Sequence, residues 1–466
     1  MSRRLSLARL ALVPPEVRTP RYDPAGLGVG ILHLGPGAFH RAHQAMFTED
    51  AIEADGGDWG IFGVALRRPE TPDLLNAQDG LYTVEIRGEE VQHRVIGSLR
   101  AAATAHAEPR RVFDAFASPR TRIVTLTVTE KGYALDGAGG LDFDHPDVAL
   151  DLTGPEAPVS TIGWLAAGLG ERRTTGGGPL TMISCDNLNQ NGRKLQAAVL
   201  AFASVADPTL VSWIEDNVAF PSTMVDSITP ASTPELLARV DTALGLPDLA
   251  CVQREAFTQW VIEDRFAGPR PAWEAAGAEL VSDVEAFEAL KLHVLNAAHS
   301  ALAYLGLPRG HALVRQAIAD GPLAHFLDAM ILEEVAPALP LLAVDNYWGQ
   351  VRERFANPNI DHALAQIAQD GSLKLAQRIF PIMIANVREG RSARRMAEVV
   401  AGWLDRGARG ALVDPQSGKL AAWGWSGRDI DAALDDLALF PDAFRAEPGL
   451  RRLMAATADG RAGGDL

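Results

Sequence analysis

The sequence predicts an α/β first half, with parallel strands joined by crossover helices, followed by a mostly α-helical second half. Three observations predict it. Short β-rich runs (GVGILHLG, WGIFGVAL, RIVTLTVTE and LTMISC) recur in the first half, separated by helix-length segments. Glycine and proline punctuate that half. From about Val284 onward Ala, Leu and charged residues dominate and strand signals fade. The Gly/Pro cluster GPRPAWEAAGAELVSD marks the change and divides the chain into domains 1–280 and 281–466.

The first run leads into LGPGAFHRAHQAMF, where Gly35 and Gly37 form a GxG turn and His40 stands where a third glycine of GxGxxG would be. Two glycines permit a tight turn and close backbone approach to a pyrophosphate, and a helix opening there offers free N–H groups. An ordinary strand-to-helix loop has the same look. Its place after the first expected strand favours a nucleotide site over that bland reading. Ala38, Phe39 and Arg41 open the helix, with Arg41 expected as a cation near phosphate. The second run ends in Arg67 and Arg68, where an NAD site usually carries an acid for the ribose hydroxyls. The expected cofactor is NAD(H), with NADP(H) open because arginine tolerates a 2′-phosphate.

In the second half, KLHVLNAAHS sits in a run without proline or glycine up to Gly306, with Leu290, Val294, Leu295, Leu302 and Leu305 at helical spacing. At about 100° per residue from Lys291, His299 falls near ~80° and Asn296 near ~140°, so three polar groups share a broad arc of an apolar helix. Burying an amine, an amide and an imidazole costs several kcal/mol unless each finds a partner. Any one of them alone reads as a satisfied core group; together they mark a candidate site.

Size and composition bound the rest. The 466 residues are 47% hydrophobic and 22% charged, enough for two or three domains with cores of their own. A net charge of -16 argues against a nucleic-acid partner, which needs a basic face. Cys185 and Cys251 provide no disulfide framework and no CxxC metal pair. The N-terminal MSRRLSLARLALVPP looks like the start of a signal peptide, but its apolar run is broken by Arg9 and ends in two prolines. A cytoplasmic setting without a membrane span is expected, and the tail ATADGRAGGDL is expected to fray.

Stretches along nearly the whole chain carry a family resemblance: YDPAGLGVGILHLGPGAFHRAHQA, QDGLYTV, TLTVTEKGY, SCDNLNQNG, FPSTMVDSITP, QWVIEDRF, GPRPAW, KLHVLNAAHSALAYLG and NPNIDHALAQIAQDGSLKL. The sequence resembles the mannitol dehydrogenase family of polyol-specific long-chain dehydrogenases, which includes fructuronate reductases. The resemblance implies a Rossmann-type N-terminal domain, a helical C-terminal domain, an active site in the cleft between them and metal-free catalysis. It implies that Lys291 is the catalytic lysine of a K-x4-N-x2-H motif completed by Asn296 and His299. It also implies that Asn187 is the asparagine of the CDN motif and that Glu130 of TEKGY gates proton exchange with solvent.

The residue types fit that chemistry. Reducing a ketone by hydride builds negative charge on oxygen, which calls for a proton donor and fixed hydrogen-bond donors. Lys291, with its pKa lowered by burial, serves as acid in reduction and base in oxidation. Two positions depart from the family pattern: Ser227 replaces the arginine of VDR, and Asp361 the arginine of NPxIRH.

Lys131, Lys374 and Arg378 are the candidate substrate cations, since a keto-uronate carries a carboxylate and fructose does not. The KLxQR form around Lys374 and Arg378 resembles the fructuronate reductase branch. Solvated surface charge is the competing reading of each cation. The expected activity is interconversion of D-fructuronate and D-mannonate, with a mannitol, arabinitol or other polyol 2-dehydrogenase as the nearest rival. A non-catalytic nucleotide-binding regulator has no need of a lysine proton donor, and a zinc alcohol dehydrogenase lacks a Cys/His ligand set here. The expected partners are a small sugar acid or polyol, in a monomer or small homo-oligomer.

Overall fold

Runs rich in Val, Ile and Leu become parallel strands because both sheet faces are covered, so alternation with polar residues is unnecessary. In the computed structural model these strands are β1 (Val29–Leu34), β2 (Gly60–Ala65), β3 (Leu99–Thr104), β4 (Ile123–Leu126), β5 (Leu180–Ser184) and β6 (Val218–Ala219). The structure describes residues 4–462 apart from 138, 155, 424–433 and 435–439. The strands pair in the order β3-β2-β1-β4-β5-β6, all parallel. This is the order of a Rossmann sheet, and it reverses between β1 and β4.

Two compact units divide the chain, Met1–Glu285 and Ala286–Leu466. In the first, the parallel sheet has a core on each side, one around Leu34, Val64, Phe116, Leu126 and Trp164, the other around Ile31, Phe47, Tyr82, Trp260 and Trp273. Two smaller sheets complete the unit. Tyr82–Arg87 and Val91–Ile96 form an antiparallel hairpin flanked by Val252–Glu255, and Gln259–Glu263 lies between Thr223–Asp226 and Glu279–Val281. The strands of these two mixed sheets, and strands β3 and β6, were not foreseen from the sequence; β3 and β6 are too polar or too short to stand out as apolar runs.

The second unit is helical around one core that includes Leu302, Tyr304, Trp348, Phe380 and Trp403. Its central helix, Ala297–Gly306, is buried along its whole length and packs on Arg394–Ala408. The C-terminal helix Pro448–Ala462 extends well into the tail expected to fray, and 463–466 lie outside the described residues. No helix among the described residues is long and apolar enough to cross a membrane.

Candidate active site

The turn after β1 needs its first glycine for a steric reason. Gly35 has φ +89, and a Cβ there would stand 2.3 Å from the Thr127 carbonyl oxygen. Gly37 is different. Its φ is -72 and a Cβ would meet only the Gly35 oxygen at 3.8 Å, so the space above it is open. That space belongs to a cavity of ≈ 590 Å³ at the switch point of the sheet, lined among others by Gly35, Gly37, Arg67, Arg68, Thr127 and Lys131. A bare backbone facing a cavity where the strand order reverses fits the phosphates of a dinucleotide.

The helix after the glycines is shorter than expected. Ala38–Ala42 stops at His43, whose φ -126 and ψ -91 break it, and a second helix runs over Gln44–Asp55. Arg41 does not point toward the cavity. It is 8% exposed and donates to the carbonyls of Gly37 and Ala250, with its guanidinium 5.6 Å from the Tyr82 ring. A cation expected at phosphate is therefore engaged in holding the base of the turn. Phe39 stacks on His43 at 5.0 Å, and Ala38 is half-buried beside it. His40, in the place of the third glycine, stacks on His33 at 3.4 Å. Burial pushes the His33 ring down to about 3 and His40 well below its ordinary value, so both are neutral. His33 reaches Thr125 Oγ1 at 2.7 Å and the Gly35 carbonyl at 3.0 Å, tying the turn to strand β4.

Arg67 and Arg68 follow β2 and are exposed, and Arg67 pairs with Asp147. Lys131 lines the same cavity, although its expected role was at the substrate. It belongs to the 3₁₀ turn Glu130–Tyr133, which places Glu130 at the surface. That turn is held by Asp186, the residue before Asn187. Asp186 accepts from the amides of Thr129 at 2.8 Å and Val128 at 3.1 Å and from the Tyr133 hydroxyl at 2.8 Å. Thr129, at φ 68, sits in the left-handed region where a β-branched residue is strained. Asn191 anchors the other end of the motif, binding the Asp186 carbonyl at 3.0 Å and the Thr223 carbonyl at 2.9 Å. Asp186 and Asn191 were missed as positioning residues, since carboxamide and carboxylate side chains in an Asn-rich loop carry no signal of what they bind. Asn187 itself is exposed.

In the second unit the helix bearing Lys291 departs from α geometry. Lys291–Asn296 is a π-helical turn between α-helices Glu285–Leu290 and Ala297–Gly306. Hydrogen bonds from i to i+5 widen the turn to about 4.4 residues, so Asn296 stands about 50° round from Lys291 instead of about 140°. His299, three α-helical residues further on, stays within about 60° of Asn296. The arc expected from an ideal helix is thus narrowed.

Lys291 and Asn296 are half-buried and His299 is 7% exposed, with no hydrogen-bond partner for Nε2 among the described residues. Its ring lies 4.5 Å from Phe355 and 5.0 Å from His362. Burial, and after it the neighbouring His362 ring and the cations Arg378, Arg354 and Lys374, hold His299 well below its ordinary value, while burial also lowers the pKa of His362. Arg378 donates to Ser300 Oγ at 3.1 Å and to the Asn296 carbonyl at 3.3 Å. Lys374 reaches the Ile367 carbonyl at 3.2 Å, and burial followed by Arg378 lowers its pKa. His362 and Arg354 were missed by sequence reasoning; both lie far along the chain from the motif. The two departures from the family pattern are satisfied locally. Ser227 donates to the Phe257 carbonyl at 3.1 Å, and Asp361 pairs with Arg315 at 3.0 Å. Cys185 and Cys251 are free and buried, and no metal-ligating cluster occurs among the described residues.

Comparison with known proteins fits this geometry. Residues 29–275 match the mannitol dehydrogenase Rossmann domain and 283–419 the mannitol dehydrogenase C-terminal domain. The D-mannonate oxidoreductase of Escherichia coli K12 is 42% identical over 83% of this chain and 82% of that protein. The mannitol 2-dehydrogenase of Phaeosphaeria nodorum is 38% identical over 87% of this chain and 75% of its own length. The solved ternary complex of Pseudomonas fluorescens mannitol 2-dehydrogenase with NAD and D-mannitol superposes with a TM-score of 0.85 at 33% identity, covering 98% of this chain and 97% of that one.

Proposed function

We propose the reversible reduction of D-fructuronate to D-mannonate for this chain, which belongs to the mannitol dehydrogenase family of oxidoreductases. The observation that carries the substrate class is the set of cations whose field reaches His299: Arg378, Arg354 and Lys374. A carboxylate substrate compensates such a set, and a neutral ketose does not. The likeness to a D-mannonate oxidoreductase supports the same reading.

The cofactor is a nicotinamide dinucleotide, NAD(H) or NADP(H), which supplies or accepts the hydride when bound. Gly35 and Gly37 admit its phosphates. Lys291 gives the proton to the carbonyl oxygen in reduction and takes it back in oxidation. Asn296 offers an amide donor to the developing negative charge, and Asn187 has the same role by family likeness. Because burial keeps His299 neutral, its Nε2 serves as a hydrogen-bond partner for a substrate hydroxyl and not as the acid. Glu130 at the surface exchanges the proton with solvent. No step requires a metal.

The second reading, a D-mannitol, D-arabinitol or other polyol 2-dehydrogenase, rests on the likeness to enzymes named for mannitol. A non-catalytic nucleotide-binding regulator leaves the Lys291, Asn296 and His299 set without purpose. The deciding experiment follows nicotinamide absorbance with purified protein and D-mannonate, D-mannitol or D-arabinitol, each with NAD and with NADP. Turnover confined to D-mannonate is expected; turnover confined to a neutral polyol would replace the substrate and keep the lysine mechanism.

A further inference from the structure

We infer that the mouth of the β2 end of the nucleotide cavity is a 2′-phosphate subsite, with Arg68 as its principal ligand, so that the chain prefers NADP(H) to NAD(H). The inference rests on the dinucleotide reading of that cavity and adds the choice between its two forms. Discrimination between them is made at the adenosine ribose. A ribose diol donates two hydroxyls and calls for a carboxylate acceptor, whereas a 2′-phosphate calls for cations.

The chain from Ile61 to Pro69, which forms β2 and its tip, contains no carboxylate at all. It ends in Leu66, Arg67 and Arg68, all lining the cavity. Among the described lining residues the charged groups are three cations, Arg67, Arg68 and Lys131, and one carboxylate, Asp147. Asp147 is already engaged, since its Oδ2 accepts from the Arg67 guanidinium. The single acid that could serve a ribose diol is thus held by a neighbouring arginine, which it also fixes in the cavity wall. Arg68 has no ion-pair partner among the described residues and is exposed, so it can close on an incoming anion without breaking an existing contact. Thr71, in the helix that follows, adds a hydroxyl donor to the same wall. A guanidinium is suited to this task because its planar fork meets two phosphate oxygens at once.

The test uses fragments that differ only at this position. Isothermal titration of the full chain with 2′,5′-ADP and with 5′-ADP is expected to show about tenfold tighter binding of 2′,5′-ADP, the effect of about one charge-assisted hydrogen bond. R68S is expected to remove most of that difference by weakening 2′,5′-ADP about tenfold and 5′-ADP less than twofold. Because Arg68 is exposed, the variant retains its fold, which circular dichroism checks. Equal affinities in the native chain, or an R68S variant that keeps the preference or weakens both fragments alike, would overturn the subsite while leaving the dinucleotide cavity in place. Binding of neither fragment would overturn the cavity reading and the subsite together.

Discussion

Replacing Asp186 by asparagine tests whether the turn bearing Glu130 and Lys131 is held from beneath. The carboxylate accepts three hydrogen bonds: Oδ1 from the Thr129 amide, and Oδ2 from the Val128 amide and the Tyr133 hydroxyl. An asparagine has one acceptor oxygen. Whichever way its amide turns, one backbone N–H then faces an N–H, and a charge-assisted bond worth about 1.5–3 kcal/mol is lost. An opposing effect reduces the loss, because burial raises the Asp186 pKa and a neutral side chain avoids part of that desolvation. The net local cost is about 2 kcal/mol, which corresponds to about thirtyfold faster opening. Hydrogen exchange followed by mass spectrometry on the peptide containing Val128 and Thr129 reads this directly. Thr129, no longer held at positive φ, relaxes toward an ordinary conformation, and kcat/KM is expected to fall about tenfold with the displaced Glu130. Unchanged exchange at these two amides, with unchanged kcat/KM, would refute the account of Asp186 as the clamp of the turn.

Other perturbations probe separate links. Lys291→Ala is expected to lower kcat by about 10²- to 10⁴-fold while the dinucleotide still binds, measured by turnover beside nucleotide titration; near native turnover would remove Lys291 as the proton donor. Lys374→Ala or Arg378→Ala is expected to cost D-mannonate about tenfold or more in kcat/KM and D-mannitol only a few-fold, and equal losses would count against a uronate pocket. Gly35→Ala places a Cβ 2.3 Å from the Thr127 oxygen at φ +89, so nucleotide affinity and melting temperature should both fall; a variant with native values of each would show that the turn can move aside. Burial pushes the Glu49 carboxyl up to about 7 from 4.5, so the folded chain keeps this proton while the unfolded chain releases it. Stability from this group is therefore complete below about pH 4.5 and declines by about 3 kcal/mol as pH rises through 7. E49Q, which has no proton to lose, should gain in melting temperature relative to the native chain between pH 5 and pH 8, and parallel pH curves would contradict the assignment.

Several features are legible in the sequence because they are local. The buried parallel strands were legible as unbroken apolar runs, the glycine turn as a spacing, and the change to helices near Val284 as a shift of composition. Lys291, Asn296 and His299 were legible as polar residues on an otherwise apolar helix. Other features depend on partners remote in sequence. Arg41 turned inward because the Ala250 carbonyl, more than two hundred residues away, receives its guanidinium. Lys131 met Arg67 and Arg68 at one cavity because the sheet brings the ends of β2 and β4 side by side across β1.

The chain's own order of residues determined the apolar parallel strands, the change to helices, where the backbone must be bare and which polar side chains stand as candidates for the chemistry, since periodicity, glycine sterics and residue type act over a few positions. Tertiary structure alone decided the π turn that draws Lys291 and Asn296 closer on one face, the neutrality of His299 amid distant cations, and the clamp that Asp186 places on Thr129. Hydrogen-bond closure, desolvation and the field of other charges depend on what stands nearby in space, and no local pattern records that.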